Sequence, residues 1–390
     1  MTAESAGNTG QQTRVSTLEL FFDLVFVFTV TQLTELLADH LDVRGAVRVL
    51  LMLGVIWWMY SAYAWLTNAM APSSPLRRVL LLVGMGGFLG VAIAVPQAFG
   101  AAGWLFGLGY FVVNAIHTGA FALAGGDGVM RALRGGLAWL NLLSATLVLV
   151  GGILTGPWRY GLWAVAFAIQ AATPYLSPIE GFTLAPAHFV ERHGLVVIVA
   201  LGESLIAVGI GIRGYELTLG IVFAAVLVLT VLYYLYWVYF GGDDARAEHA
   251  LEATADPRRR ALHAVHAFGF AHVPMLFGIV VFAAGVKKII GHPFDGAKLS
   301  YALAITGGVV LYLIGHAVFR LVLRLGSIRH AVLATVLILA LGLPLGLLSA
   351  AAMLGLIIAA FVVSWFIDAG GIRPVLRAWR AGDTPVMHSS

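Results

Sequence analysis

STLELFFDLVFVFTVTQLTELLADH, residues 16–40, is long and apolar enough for a membrane-crossing helix, yet it carries Glu19, Asp23, Gln32 and Glu35. A hydrocarbon core of about 30 Å needs about 20 apolar helical residues. Further blocks of that kind follow to the end of the chain. Spans are expected at about 18–38, 46–66, 77–99, 103–124, 134–155, 158–176, 188–210, 217–240, 261–285, 299–323, 330–347 and 350–367. The last division is needed because one helix over 330–367 would run about 57 Å at 1.5 Å per residue. GLPLGLLS at 342–349 is the natural break.

The composition agrees with this reading. Of 390 residues 60% are hydrophobic and 11% charged, with a mean hydropathy of +0.93, where a soluble domain has about a quarter of its residues charged. The expected fold is all-α, a polytopic membrane protein of about twelve transmembrane helices. Residues 1–15 read as a disordered N-terminal tail, 16–370 as the membrane domain and 371–390 as a C-terminal tail. The first block carries acids and lacks a small-residue cleavage pattern, so it is not a removable signal peptide. The hydrophilic insert GGDDARAEHALEATADPRRR, 241–260, reads as a connection, either a short amphipathic helix or a mobile loop.

Charge and cysteine content narrow the function classes. Without cysteine there are no disulfides, thiolate metal sites or cysteine nucleophiles. A net charge of +4 does not point to nucleic acid, because the chain has three lysines and its arginines sit singly or in short clusters between apolar blocks. Such residues mark cytoplasmic segments. With twelve spans, 15 Lys and Arg fall on the side of the two termini and 7 on the other, so both termini are expected in the cytoplasm.

An internal repeat is the next expectation. Laying Glu19 on Glu191 sets Gln32 against Ser204, and GFLGVAIAVP of the third span resembles GFAHVPMLFG of the ninth, six spans on. Halves 16–176 and 188–367 would then form a tandem 6+6 bundle, its copies related by an axis along the membrane normal.

Acids at membrane depth are costly and turn to a bundle interior or a wet cavity. Glu19 and Asp23 lie about 40° apart on a helix, with Thr34 inside the same arc, while Gln32 and Glu35 point elsewhere. The seventh span carries Glu191, Arg192 and His193 at its head and Glu203 with Ser204 near its middle. Arg192 and Glu203 share a stripe but are about 16 Å apart, so each needs partners on other helices. Glu203 is the leading candidate for an ion or proton site, with the flanking Gly202 and Gly209 expected to permit close packing. His272 is a further candidate at membrane depth. The candidate polar path is Glu19, Asp23, Gln32, Glu191, Arg192, His193, Glu203, Ser204 and His272. No HExxH or HxxxH pair is present, and neither a metal nor another cofactor is expected. A P-loop, a GxSxG elbow and a mid-helix lysine for retinal are missing too. GMGGFLG at 84–90 lies within a span and reads as helix packing.

Together, LELFFDLVFVFTVTQL, AVPQAFG, HFVERHGLVVIVALGESLIAVG and HVPMLFGIVVFAAG resemble the bacterial low temperature requirement protein A family over most of residues 15–370. The resemblance implies a multi-pass protein of the bacterial inner membrane, tied by name to growth in the cold, and brings no settled activity. A weaker similarity is to double six-helix potassium channels with a Phe-Ser-Asp motif in each half. Here FFD at 21–23 lacks the serine and Gly194-Leu195 stand at the second motif, so potassium selectivity is not implied.

The leading expectation is a non-enzymatic transporter or channel for a small solute or ion, in which Asp23, Glu191 and Glu203 line a path and Arg192 and His193 tune it. One alternative is an intramembrane enzyme or lipid-handling protein using Glu203 and His272 as acid and base; another is a membrane scaffold for cold adaptation. The expected partners are the lipid bilayer and the solute, with no nucleic acid, and a homo-oligomer is compatible with the sequence.

Overall fold

The computed structural model describes residues 16–69, 74–124, 126–177 and 184–368. The two tails, with the arginines they contribute to the charge count, lie outside the described residues. Among the described residues the chain forms twelve long helices: α1 (Thr17–Asp39), α2 (Val43–Ala69), α3 (Pro75–Ala94), α4 (Gly103–Ala124), α5 (Asp127–Ile153), α6 (Pro157–Leu176), α7 (Pro186–Gly211), α8 (Leu219–Phe240), α9 (Pro257–Ile289), α10 (Leu299–Leu323), α11 (Arg329–Leu348) and α12 (Ala350–Asp368). A short helix, Asp243–Ala253, joins α8 to α9.

Local signals set the helix ends. Ser16 and Glu19 form a reciprocal capping box on α1, and Ser74, Thr218 and Asp256 cap α3, α8 and α9, with proline in the first turn of α3 and α9. The expected break near the end of the chain falls at Ser349, which is extended at φ −159° and whose hydroxyl accepts from the Ala352 amide at 3.3 Å.

Eleven of these helices are long and apolar enough to cross a membrane, in keeping with the expected fold of about twelve; α6 is long enough but less apolar. The cause is its inward face, where Arg159, Gln170 and Thr173 are buried. Arg159 donates to the carbonyls of Ala98, Gly100, Gly151, Gly152 and Leu154 at 2.9–3.1 Å, tying helix C-termini together. The outside of the bundle is apolar, with Leu24, Leu219 and Leu348 all exposed. A water-soluble monomer does not present so much continuous apolar surface.

The second six helices repeat the packing order of the first six. In the first half α1 packs on α2 and α3, α2 on α4 and α6, α3 on α4, α4 on α5, and α5 on α6; α7–α12 make each corresponding pairing. The α3–α4 crossing is at Gly87 and Gly109, where an added methyl would lie 3.0 and 2.7 Å from the opposite glycine's carbonyl oxygen. The α9–α10 crossing is at Gly278 and Gly308, with 2.5 and 2.7 Å. Only glycine permits such backbone approach. Residues four positions on are met in both crossings, Val91 and Val113 in one and Phe282 and Tyr312 in the other. Both α5 and α11 also contain a π-helical stretch, at Leu133–Leu137 and Ile338–Gly342.

These crossings correct two expectations. Gly87 corresponds to Gly278, nine residues beyond the Gly269 on which the GFLGVAIAVP likeness placed it, because that likeness followed Gly-Phe pairs that make different contacts. A methyl added at Gly202 or Gly209 would meet nothing within 4 Å, so they are not packing positions. In GMGGFLG, Gly84 and Gly87 pack closely while Gly86 and Gly90 face open space.

Candidate functional site

The two halves meet where α1 and α2 pack on α7 and α9. Helices α1 and α7 run parallel, and their seam holds three groups of polar residues. At the end nearest Ser16, Glu19 lies 3.1 Å from His188 Nε2 and 3.2 Å from Arg192 Nη1. The other carboxylate oxygen of Glu19 accepts from the Ser16 amide and hydroxyl, each at 2.8 Å. One turn deeper, Asp23 Oδ1 accepts from Arg192 Nη2 at 2.8 Å and from the Tyr60 hydroxyl at 2.7 Å. Arg192 is 1% exposed, and its guanidinium lies against the rings of Phe22 and Tyr60. It is thus the cation that ties α1, α2 and α7 together. The two acids are paired to one arginine, as buried charges require, while Asp23 Oδ2 and Arg192 Nε have no hydrogen-bond partner among the described residues.

Beside this cluster, His193 and His272 sit in an aromatic box. Each ring has a backbone carbonyl 2.9 Å from Nδ1, Phe189 for His193 and Ala267 for His272. A carbonyl can only accept, so Nδ1 carries the proton and Nε2 is left as an acceptor. It takes a hydrogen bond from the Ser61 hydroxyl at 3.3 Å in His193 and from the Tyr239 hydroxyl at 3.1 Å in His272. Trp57 stacks on His272 with ring centroids 5.8 Å apart and meets His193 edge-on, while its indole N–H donates to the Gly269 carbonyl at 2.8 Å. That carbonyl lies in the π-helical stretch Val265–Phe270 of α9.

The third group is Glu203 on α7. Its Oε2 accepts from the Thr31 hydroxyl at 2.6 Å, and its Oε1 has no partner among the described residues. The neighbouring Ser204 is fully buried with an unpartnered hydroxyl. Near the far end of α1, Glu35 pairs with Lys287 and Asp39 lies 3.8 Å from Lys288, both lysines in the last turn of α9.

The polar path expected from the sequence is therefore corrected in three places. Glu191 is exposed and turns away from the seam, since the next residue, Arg192, takes the inward position. Gln32 is half-buried and makes no hydrogen bond to a described residue; Thr31 is the residue of α1 that reaches α7. The path is also discontinuous: Phe26, Val30, Val196, Val197 and Ala200 are buried between the Asp23 and Glu203 levels, about 12 Å apart along α1. His272 meets His193 edge-on, ten residues or about 15 Å along α7 from Glu203, so the proposed acid–base pair is not assembled.

A second ion cluster involves the insert 241–260, which reads from the sequence as a connection. Gly242, at φ +118°, a conformation that favours glycine, starts the short helix and turns Asp243 inward. Arg320 Nη1 donates to both oxygens of Asp243 at 2.9 and 2.8 Å, His316 Nε2 lies at 2.8 Å, and Arg246 pairs with the same carboxylate. This fastens the insert to α10. Its sequence signal was an Asp directly after a glycine at a helix end.

An all-helical bundle with an apolar exterior and ionisable groups gathered between its helices defines a multi-pass integral membrane protein. The profile described as "Bacterial low temperature requirement A protein (LtrA)" matches residues 14–367, and the chain belongs to that family. It is 31% identical over 317 residues to an uncharacterised protein of Rhizobium meliloti (strain 1021), covering 78% of this chain and 76% of the relative. No solved structure matches the chain.

Proposed function

We propose that the protein carries a small cation, protons included, across the bacterial inner membrane, and that the structure corresponds to a closed state. The observation that carries this reading is Glu203: a buried carboxylate with one oxygen held by Thr31 and the other unpartnered. It lies between ion pairs at both ends of α1, Asp23–Arg192 and Glu35–Lys287. Such a carboxylate is stabilised by binding a proton or a small cation, and the cost of an isolated carboxylate at membrane depth favours that exchange. The apolar layer between Asp23 and Glu203 acts as the closed barrier.

In this reading all twelve helices cross the membrane and both termini are cytoplasmic, as the distribution of arginines favours. Helix α6 presents Trp158 and Tyr175 outward near its two ends, about 26 Å apart, a spacing that suits aromatic anchors at two interfaces.

The test is cation and proton flux in liposomes containing the full chain. The wild type is expected to dissipate an imposed gradient, and Glu203→Gln, which keeps an acceptor for Thr31, is expected to fall to the level of empty vesicles while retaining its melting temperature. No flux by the wild type, or undiminished flux by the variant, would overturn the proposal.

A further inference from the structure

A cavity of about 90 Å³ lies between the first half and α9, bounded by α2, α4, α5, α6 and the π-helical stretch of α9. Trp58, Trp65 and Phe121 supply aromatic walls, and His117, Asn141 and Gln170 bring polar side chains to it. All three polar residues are at least nine-tenths buried.

The lining determines what kind of ligand fits. His117 Nε2 is 3.1 Å from the Ala62 carbonyl and must donate to it, so Nδ1 is an acceptor, and it has no partner among the described residues. The Gln170 amide donates to the Tyr110 hydroxyl and to Asn114 Oδ1, each at 3.3 Å, which leaves its Oε1 as a second unpartnered acceptor. A buried acceptor without a donor is costly, so two at one cavity wall call for a ligand that donates. No lining residue carries an Asp, Glu, Lys or Arg side chain, which favours an uncharged ligand over an ammonium despite the aromatic walls.

The second half provides an independent comparison. His117 and Phe121 stand eight and twelve residues after the crossing glycine Gly109; the same steps from Gly308 lead to His316 and Arg320. There the Arg320 guanidinium and His316 both hold the buried Asp243. Among the described residues the first half has no such ion pair beside its histidine.

We propose that the cavity beside His117 and Gln170 is a binding site for a small uncharged amphiphile, a short apolar chain or ring ending in a hydroxyl or amide donor. Ser61, which also lines it, is the residue that donates to His193 on α7, so an occupant would touch a side chain bonded to the seam.

Fluorine NMR of the full-length protein in lipid nanodiscs tests this with three probes of similar size: trifluorobutanol, trifluoropentane and trifluorobutylammonium. Saturable binding of the alcohol is expected, lost in Ala62→Phe, which fills the cavity, and weakened about fivefold in Asn141→Leu, as loss of one hydrogen-bonding group gives. Should Ala62→Phe fail to fold, Asn141→Leu and Ser61→Ala supply the same comparison. The alcohol binding equally to wild type and the folded variants would overturn the proposal. So would trifluoropentane binding as tightly, which would mean a slot for acyl chains, or the ammonium binding more tightly. Because these readouts involve no transport, they stand or fall independently of the Glu203 reading.

Discussion

At matched positions of α4 and α10 the two halves of the bundle differ in what surrounds a buried histidine. His117 faces a cavity with aromatic walls, whereas His316 is held against Asp243 and Arg320. The helices around both histidines pack in the same order and cross at matched glycines. Two local changes account for the difference: Phe121 stands where α10 has Arg320, and Gly242 turns an acid inward that the first half lacks. One helical scaffold can thus leave a cavity beside the histidine in one copy and set an ion pair against it in the other. The two arginine-centred clusters also differ in reach. Arg192 joins α1, α2 and α7 across the halves, while Arg320 joins α10 to a connecting helix within one half.

The largest effect expected from this contrast is that of removing each arginine. Arg192→Met leaves the buried Glu19 with Ser16 and His188 and the buried Asp23 with the Tyr60 hydroxyl alone. Arg320→Met leaves Asp243 with both His316 and Arg246. Breaking a buried pair costs about 3–5 kcal/mol, so thermal unfolding in detergent should show Arg192→Met as the less stable variant, with a loss near the top of that range. A more stable Arg192→Met would mean that the clusters play the opposite structural parts.

A smaller effect is expected at the crossings. Gly278→Ala puts a methyl 2.5 Å from the Gly308 carbonyl oxygen, against 3.0 Å for Gly87→Ala at Gly109. Overpacking of this kind costs about 1–3 kcal/mol, and Gly278→Ala should sit higher in that range. Equal melting temperatures would show that the second half relaxes as easily as the first.

Much of the fold was legible because membrane helices announce themselves by length and hydropathy, and the capping residues Ser16, Ser74 and Thr218 mark their starts. Helix α6 was legible as a helix, although its inward Arg159 and Gln170 lower its hydropathy. Pairings were harder. Asp23 and Arg192 are 169 residues apart, and a helical wheel gives the face of each without naming the partner. Adjacent charged residues are hard to read for a related reason: Glu191 and Arg192 point about 100° apart, and only packing shows which one is inside. Beyond the π-helical stretches at Leu133, Val265 and Ile338 a regular wheel loses register, since each inserts a residue into the turn. Asp243 was missed because a hydrophilic stretch between spans resembles a solvated loop until Arg320 and His316 are brought to it.

The claim that the α1–α7 seam is a closed path able to open is tested most directly by cysteine accessibility at Val30, which is 1% exposed between the Asp23 and Glu203 levels. The chain has no native cysteine, so Val30→Cys in full-length protein in liposomes gives a single site for a charged maleimide. The account predicts slow labelling without a gradient and faster labelling during cation flux, with the acceleration abolished by Glu203→Gln. Labelling that stays equally slow while the same vesicles transport would place the path elsewhere, and rapid labelling without a gradient would show that the seam is not closed.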